Sequence, residues 1–444
     1  MKRLFMPLLC VLAVLIAPPC FANDVQILKS SKGITAWLIE DHSLPIVSLS
    51  FAWNGGIETD DDAKQGLSHV AATMLTKGAA ADDENAFLKK LQDNVISLSF
   101  QAQRDTIYGQ LRTLKETLPV AQEALRASIM QPRFDDQSLM QVKAQNISLI
   151  KNYLSDPDWL MSRLMMREVY AGHPYSKRTL GTQATINSIT KDDLKNWHKR
   201  LNRSELIVSA TGDITKEELN KLLDETFGGL PEKPAGAELA EADLKGKTET
   251  FVLKYKGPQS SITVVWPGIR RNDKDWYAME VMNYILGGGS FSSRLMSEVR
   301  EKRGLTYGIS SGMSLFDHGS SYSIQASFKN ENAGHVLDLI KKEIAHMRDT
   351  KVSAEELKAA KDYLIGSYAL SLTSTARVAG HYLEIQRQKL GVDIQQKREA
   401  ALNAVTAEDV QRVAKRILQD ASQITFFVGE PQGITATKTF DSVE

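Results

Sequence analysis

The chain has 444 residues, of which 42% are hydrophobic and 24% charged, and its 54 Lys+Arg balance 54 Asp+Glu. This composition excludes a disordered, collagen-like or polytopic membrane protein. With no net charge and no long basic run, the chain also lacks the electrostatic footprint of a nucleic-acid binder.

At the start, Lys2 and Arg3 precede an apolar stretch from Leu4 to about Pro18, and Cys20-Phe21-Ala22 leads to Asn23 with the small residues signal peptidase requires. Residues 1–22 therefore read as a cleaved export signal, because the apolar stretch is shorter than the roughly 20 residues of a membrane-spanning helix. The expected location is a periplasm, with no membrane insertion once the signal is removed. Both cysteines, Cys10 and Cys20, fall inside the signal. The mature chain is expected to have neither disulfides nor thiolate chemistry.

Next, Ile46 to Trp53 alternates as a strand, and Gly66 to Ala79 carries a helical stripe of Leu67, Val70, Ala71, Met74 and Leu75. His69, Ala72 and Thr73 share the adjoining face. Further on stand Asp156-Pro157-Asp158 and Gly172-His173-Pro174-Tyr175. Residues 187–201 (NSITKDDLKNWHKRL) then recur as 403–417 (NAVTAEDVQRVAKRI), each with the Thr-x-x-Asp spacing of a capping box, Thr190 with Asp193 and Thr406 with Asp409. An apolar β-rich run follows each copy, ending at Gly212 and Gly429.

The repeat predicts a duplicated chain: residues 23–230, a Gly/Pro/Ala-rich linker over 231–250, and residues 251–444. Helices capped at Thr215 and Ser353 interrupt the strands. The expected fold class is α+β, two homologous halves, each a mixed or antiparallel sheet covered by helices. In the second half a helix from Trp276 to Leu286 runs into Gly287-Gly288-Gly289, and Arg300 and Tyr307 follow.

None of the 8 histidines lies within a helical turn of another, so neither H-E-x-x-H nor its inverse H-x-x-E-H occurs. The three glycines fit no phosphate-binding pattern. Gly308-Ile309-Ser310-Ser311-Gly312 satisfies G-x-S-x-G, but it sits in a β-like run rather than at a strand-to-helix elbow. Read alone, Arg300 is one charge on a helix face with Glu298, Glu301, Lys302 and Arg303, and Tyr307 anchors a strand.

The segment around His69 resembles the pitrilysin/insulinase family of zinc peptidases, whose motif runs roughly G-x-A-H-x-x-E-H-M-x-x-K-G-T. His69, Met74, Lys77 and Gly78 match. Ala72 stands where the general base belongs and Thr73 where the second zinc ligand belongs. The family's third ligand is a glutamate shortly before an acidic D-P-D stretch, yet no carboxylate occurs between Asp136 and Asp156.

Residues 287–307 are similar to the family's glycine-rich loop and its R-x6-Y pair. The resemblance implies that Gly287, Gly288, Gly289, Arg300 and Tyr307 hold substrate in the active site of another chain. It implies a non-catalytic subunit of an exported heterodimeric peptidase, with zinc in the partner, no cofactor of its own, and peptides or unfolded segments as substrates. A scaffold or peptide-binding protein of the same fold, with no part in proteolysis, is the alternative.

Overall fold

The computed structural model describes residues 25–232, 239–244 and 248–443. The expected export signal and part of the expected linker lie outside the described residues.

Each half is built on one six-stranded sheet. The first contains β1 (Gln26–Lys29), β2 (Thr35–Glu40), β3 (Ile46–Asn54), β4 (Ser97–Ala102), β5 (Thr106–Leu114) and β6 (Leu206–Gly212), in the order β1-β2-β6-β3-β5-β4. The second contains β7 (Glu249–Lys254), β8 (Gln259–Pro267), β9 (Thr306–Ser314), β10 (Ser321–Lys329), β11 (Ile424–Gly429) and β12 (Lys438–Phe440), in the order β12-β7-β11-β8-β10-β9. The strands that follow the repeated helices occupy equivalent places. β6 runs parallel to β2 and antiparallel to β3, as β11 does to β7 and β8. The fold is the expected α+β duplication. Its outermost strands depart from the repeat: β1, from the start of the chain, pairs antiparallel, whereas β12, from the end, pairs parallel.

The repeated helices begin where the capping signals place them. Thr190, Thr215, Ser353 and Thr406 each accept from the third backbone N–H of their helix, and the side chain three residues on accepts from the cap's own N–H. Two backbone donors that a helix start leaves orphaned are satisfied at once.

The halves interlock by exchanging helices. β3 is buried on both faces. One face packs into the first half's own core, and the other is crossed by Thr375–Arg387 of the second half. Val378, Tyr382 and Ile385 of that helix cluster with Trp37 and Ile39 of β2. Conversely, Pro157–Val169 of the first half lays Leu160, Leu164 and Val169 onto Val265, Phe426 and Val428 of the second sheet. Residues 239–244 also pack on the second half, where Ala242 N–H donates to the His318 carbonyl at 2.7 Å.

Candidate functional site

The helix that carries His69 spans Leu67–Met74 and starts after Gly66, whose φ of +91° is left-handed. A Cβ there would also lie 2.8 Å from the Leu180 carbonyl oxygen, so glycine is required. Leu67, Val70, Ala71 and Met74 are buried in the first core. Ala72 is buried with them at 1% exposure rather than standing on an open face. The Thr73 hydroxyl donates to the His69 carbonyl at 2.9 Å, a bond within its own helix. His69 is half-buried, and burial lowers its pKa, so the imidazole is neutral near pH 7.

Among the described residues, no group of three or more His, Cys, Asp or Glu side chains is arranged to hold a metal ion. The other segments around this position do structural work. Asp156 caps Pro157–Val169 by accepting from Asp158 and Trp159 N–H, at 2.9 and 3.4 Å. His173 Nδ1 accepts from Tyr175 N–H at 3.2 Å, and the Tyr175 hydroxyl donates to Asp105. That same hydroxyl accepts from His318 N–H at 2.9 Å, so the Gly-His-Pro-Tyr segment ties the two halves together.

The glycine-rich segment differs from the expected helix to Leu286. The α-helix spans Trp276–Asn283 and then widens into a π-type turn over Tyr284–Gly288. Contact with β9 accounts for part of this. A Cβ on Gly287 would sit 2.6 Å from Ser311 Oγ and 2.8 Å from Ser311 N, so only glycine lets the turn approach the strand. Ser311 Oγ in turn donates to Asn283 Oδ1 at 2.8 Å, pinning the turn to β9. Gly288 is exposed and Gly289 half-exposed, and Phe291 projects beyond them with 60% of its surface open.

Arg300 lies in the Met296–Glu301 turn with its guanidinium 4.6 Å from the centroid of the Phe291 ring. Its charged neighbours are engaged elsewhere: Glu298 pairs with Lys302 and with Arg303, the latter at 2.7 Å. Among the described residues no carboxylate pairs with Arg300. Its fork is stacked on an aromatic face with its N–H donors uncommitted, a geometry suited to a carboxylate or a carbonyl.

Tyr307 is no strand anchor, because it is 88% exposed. A β-bulge explains the exposure. Thr306 pairs with Phe328 and Ile309 with Ala326, so Tyr307 and Gly308 together oppose the single residue Ser327. The Thr306 hydroxyl lies 2.7 Å from the Ser327 carbonyl oxygen and accepts from Gly308 N–H at 3.1 Å, which fixes the irregularity. The bulge sits on β9, the last strand of its sheet. Hydrogen bonds from Gly304 N–H to the Arg300 carbonyl (2.8 Å) and from Leu305 N–H to the Val299 carbonyl (3.1 Å) fold the connection between the two residues. Gly308–Gly312 lies wholly within β9, so the G-x-S-x-G string forms no nucleophile elbow.

Two duplicated sheets, a helix without the inverted zinc motif, and a glycine-rich turn followed by the half-buried Arg300 and the exposed Tyr307 define a peptidase-fold chain without a zinc site of the family's kind among the described residues. The family model described as Insulinase (Peptidase family M16) matches residues 36–183, and that described as Peptidase M16 inactive domain matches residues 188–364. The chain belongs to the M16 insulinase family, and its residues 188–364 match the family's inactive domain. It is 28% identical over 336 residues to the Non-peptidase homolog YmxG of Helicobacter pylori, covering 74% of this chain and 77% of that protein. It is 25% identical over 362 residues to the Uncharacterized zinc protease YmxG of Bacillus subtilis, covering 80% and 86%. The crystal structure of a peptidase M16 inactive domain from Pseudomonas fluorescens superposes with a TM-score of 0.86 at 25% identity, over 94% of this chain and 100% of that one.

Sequence reasoning passed over Phe291, although a lone aromatic in a Gly/Ser run nine residues before Arg300 was a usable signal. It had no means of seeing the bulge, which depends on the register of β10.

Proposed function

We propose that this chain is the exported, non-catalytic subunit of a zinc-dependent heterodimeric peptidase. A second chain with an intact inverted motif supplies zinc, its ligands and the glutamate that activates water. This chain supplies Arg300, Tyr307 and the Gly287–Gly289 turn, which hold the backbone of a peptide or unfolded segment in the partner's active site. The guanidinium fork and the phenol O–H suit a carbonyl gaining negative charge. Neither generates a nucleophile.

One contrast supports this reading above others. Ala72 and Thr73, at the zinc-motif positions, are turned inward or bonded to their own helix, whereas Tyr307 is exposed and the half-buried Arg300 stacks on the exposed Phe291 ring, with no carboxylate partner among the described residues. Export to a periplasm rests on the leader over residues 1–22.

The test is reconstitution with a secreted chain of similar length carrying H-x-x-E-H. The pair should cleave unfolded peptides at least tenfold faster than either chain alone, and Arg300→Ala or Tyr307→Phe should remove that gain while co-purification persists. Unchanged turnover in both variants points to the scaffold alternative. Chelator-sensitive cleavage by this chain alone would end the proposal.

A further inference from the structure

Helices of the second half converge on a partly buried polar cluster that plays no part in the proposed peptidase role. Arg271 precedes the Trp276–Asn283 helix, which contributes Trp276, Tyr277 and Glu280. Tyr368 stands just after the Ala354–Gly366 helix, His381 lies on Thr375–Arg387, and Arg398 lies on Ile394–Ala404. These side chains form one group. Both guanidiniums are close enough to Tyr277, Glu280, Tyr368 and His381 to act on their ionisation.

The cluster holds more positive charge than its carboxyl balances. Arg271 packs 4.4 Å from the centroid of the Trp276 indole, and its Nη1 comes only within 4.0 Å of Glu280 Oε2, the outer edge of an ion pair. The Arg398 guanidinium lies 4.7 Å from the Tyr368 centroid and donates to the Leu364 carbonyl at 2.9 Å. Among the described residues it pairs with no carboxylate at ion-pair distance. Glu384, the other carboxylate acting on His381, is already engaged by Arg387 and by the Tyr108 hydroxyl. Two permanent cations thus face Glu280. His381 responds to that field: burial, and then the two guanidiniums, hold its pKa down to about 4. It stays neutral and shares a 2.6 Å hydrogen bond with the Tyr368 hydroxyl.

An orphaned donor is the second observation. Trp276 is 7% exposed, yet its Nε1 has no hydrogen-bond partner among the described residues, and neither has Glu280 Oε2 one turn further along the helix. A buried donor left unsatisfied destabilises a fold, and an indole N–H is satisfied only by an acceptor. The Arg271 and Glu280 side chains remain 20% and 22% exposed, so the cluster opens to solvent.

The acceptor that fits is planar and singly charged. A carboxylate presents two oxygens to a guanidinium fork and can also accept from an indole N–H. One negative charge balances the excess of the two cations over Glu280. A dianion such as phosphate would leave the cluster net negative whenever Glu280 is ionised.

We propose that the crevice between the Trp276–Asn283 and Ile394–Ala404 helices binds one carboxylate, of a small organic acid or of a peptide C-terminus, through Arg271, Arg398 and the Trp276 indole. This site stands independently of the role given to Arg300 and Tyr307.

Calorimetry on the purified full chain tests it with three probes: butyrate, acetyl-Ala-Leu with a free C-terminus, and the same dipeptide as its amide. Saturable binding of at least one acid is expected. A peptide acid at least tenfold tighter than butyrate marks a C-terminus as the source, and otherwise the site takes a small acid. The amide should bind at least tenfold more weakly than the acid, and Arg271→Gln should weaken acid binding by a similar factor. Trp276→Phe keeps an aromatic ring and loses an N–H that has no partner, so it should melt like the parent and still bind at least threefold more weakly. That variant keeps the test decisive if Arg271→Gln fails to fold. Arg300→Ala should leave affinity unchanged. No binding of either acid, an amide as tight as the acid, displacement by equimolar phosphate, or unaltered affinity in Trp276→Phe would each overturn the assignment. Failure of the subunit reading shows in the turnover of the reconstituted pair and leaves these results intact.

Discussion

The Arg300 guanidinium stacks on the Phe291 ring, 4.6 Å from its centroid, and so couples the glycine-rich turn to the charge that follows it. Phe291 is largely exposed, and burying a ring is not what keeps it in place. Its role is to hold a flexible cation in one orientation. An exposed cation–π contact of this kind contributes about 0.5–1 kcal/mol. Phe291→Leu should therefore lower kcat/KM of the reconstituted pair roughly two- to fivefold, with the melting temperature unchanged. Arg300→Lys, which keeps the charge and loses the planar fork, should cost more than Phe291→Leu. Equal effects of both on thermal stability and turnover would make the stack merely structural.

Restoring the missing zinc motif is predicted to fail for a physical reason. Ala72 is 1% exposed and packed in the first core, so Ala72→Glu places a carboxylate where nothing pairs with it. The expected loss is on the order of 2–4 kcal/mol, typical of burying an unpartnered polar group. Ala72→Glu/Thr73→His should melt well below the parent and bind no stoichiometric zinc by elemental analysis, because the neighbouring Asp136–Tyr153 helix carries no carboxylate beyond Asp136. A stable variant with one zinc per chain would show that the helix can rotate its motif face outward.

Much of the architecture was legible in the residues because it rests on local rules. The repeated Thr-x-x-Asp boxes and the apolar runs before Gly212 and Gly429 set two equivalent helix–strand units, and the strands fell where alternation placed them. What was not legible depends on partners distant in the chain. Nothing near Val378 or Leu160 says that each covers the other half's sheet. The exposure of Tyr307 follows from a mismatch between β9 and β10, and the burial of Ala72 from a stripe wider than the periodicity indicated.

Glu58 makes the first half sensitive to pH. Burial, reinforced by the Asp105 carboxylate, pushes its pKa up to about 8. The folded chain thus binds this proton more tightly than the unfolded chain, whose glutamate titrates near its ordinary value of 4.5. The contribution is favourable below 4.5 and is lost as pH rises through about 8. Glu58→Gln, which cannot ionise, should raise the melting temperature relative to the parent most at pH 8–9, and the gain should shrink toward pH 5. A difference independent of pH would assign the effect to packing alone.

Arg387 is the charge on which the exchange of helices turns. Its side chain is 8% exposed and pairs with Glu384 on its own helix and with Asp317, whose backbone N–H in turn donates to Asp105 of the first half at 3.0 Å. Tyr108 of the first half completes the link by donating to Glu384 at 2.5 Å. Removing Arg387 leaves Asp317 and Glu384 without their cation, but these side chains are 36% and 37% exposed, so the cost falls below the about 3–5 kcal/mol of a fully buried pair. Because each sheet is covered by a helix of the other half, that loss is not confined to one of them. Calorimetry of the parent should show a single cooperative transition, and Arg387→Ala should lower it as one peak, with tryptophan fluorescence and far-ultraviolet circular dichroism moving together. Two separated transitions in the parent would mean that the halves unfold independently despite their shared helices.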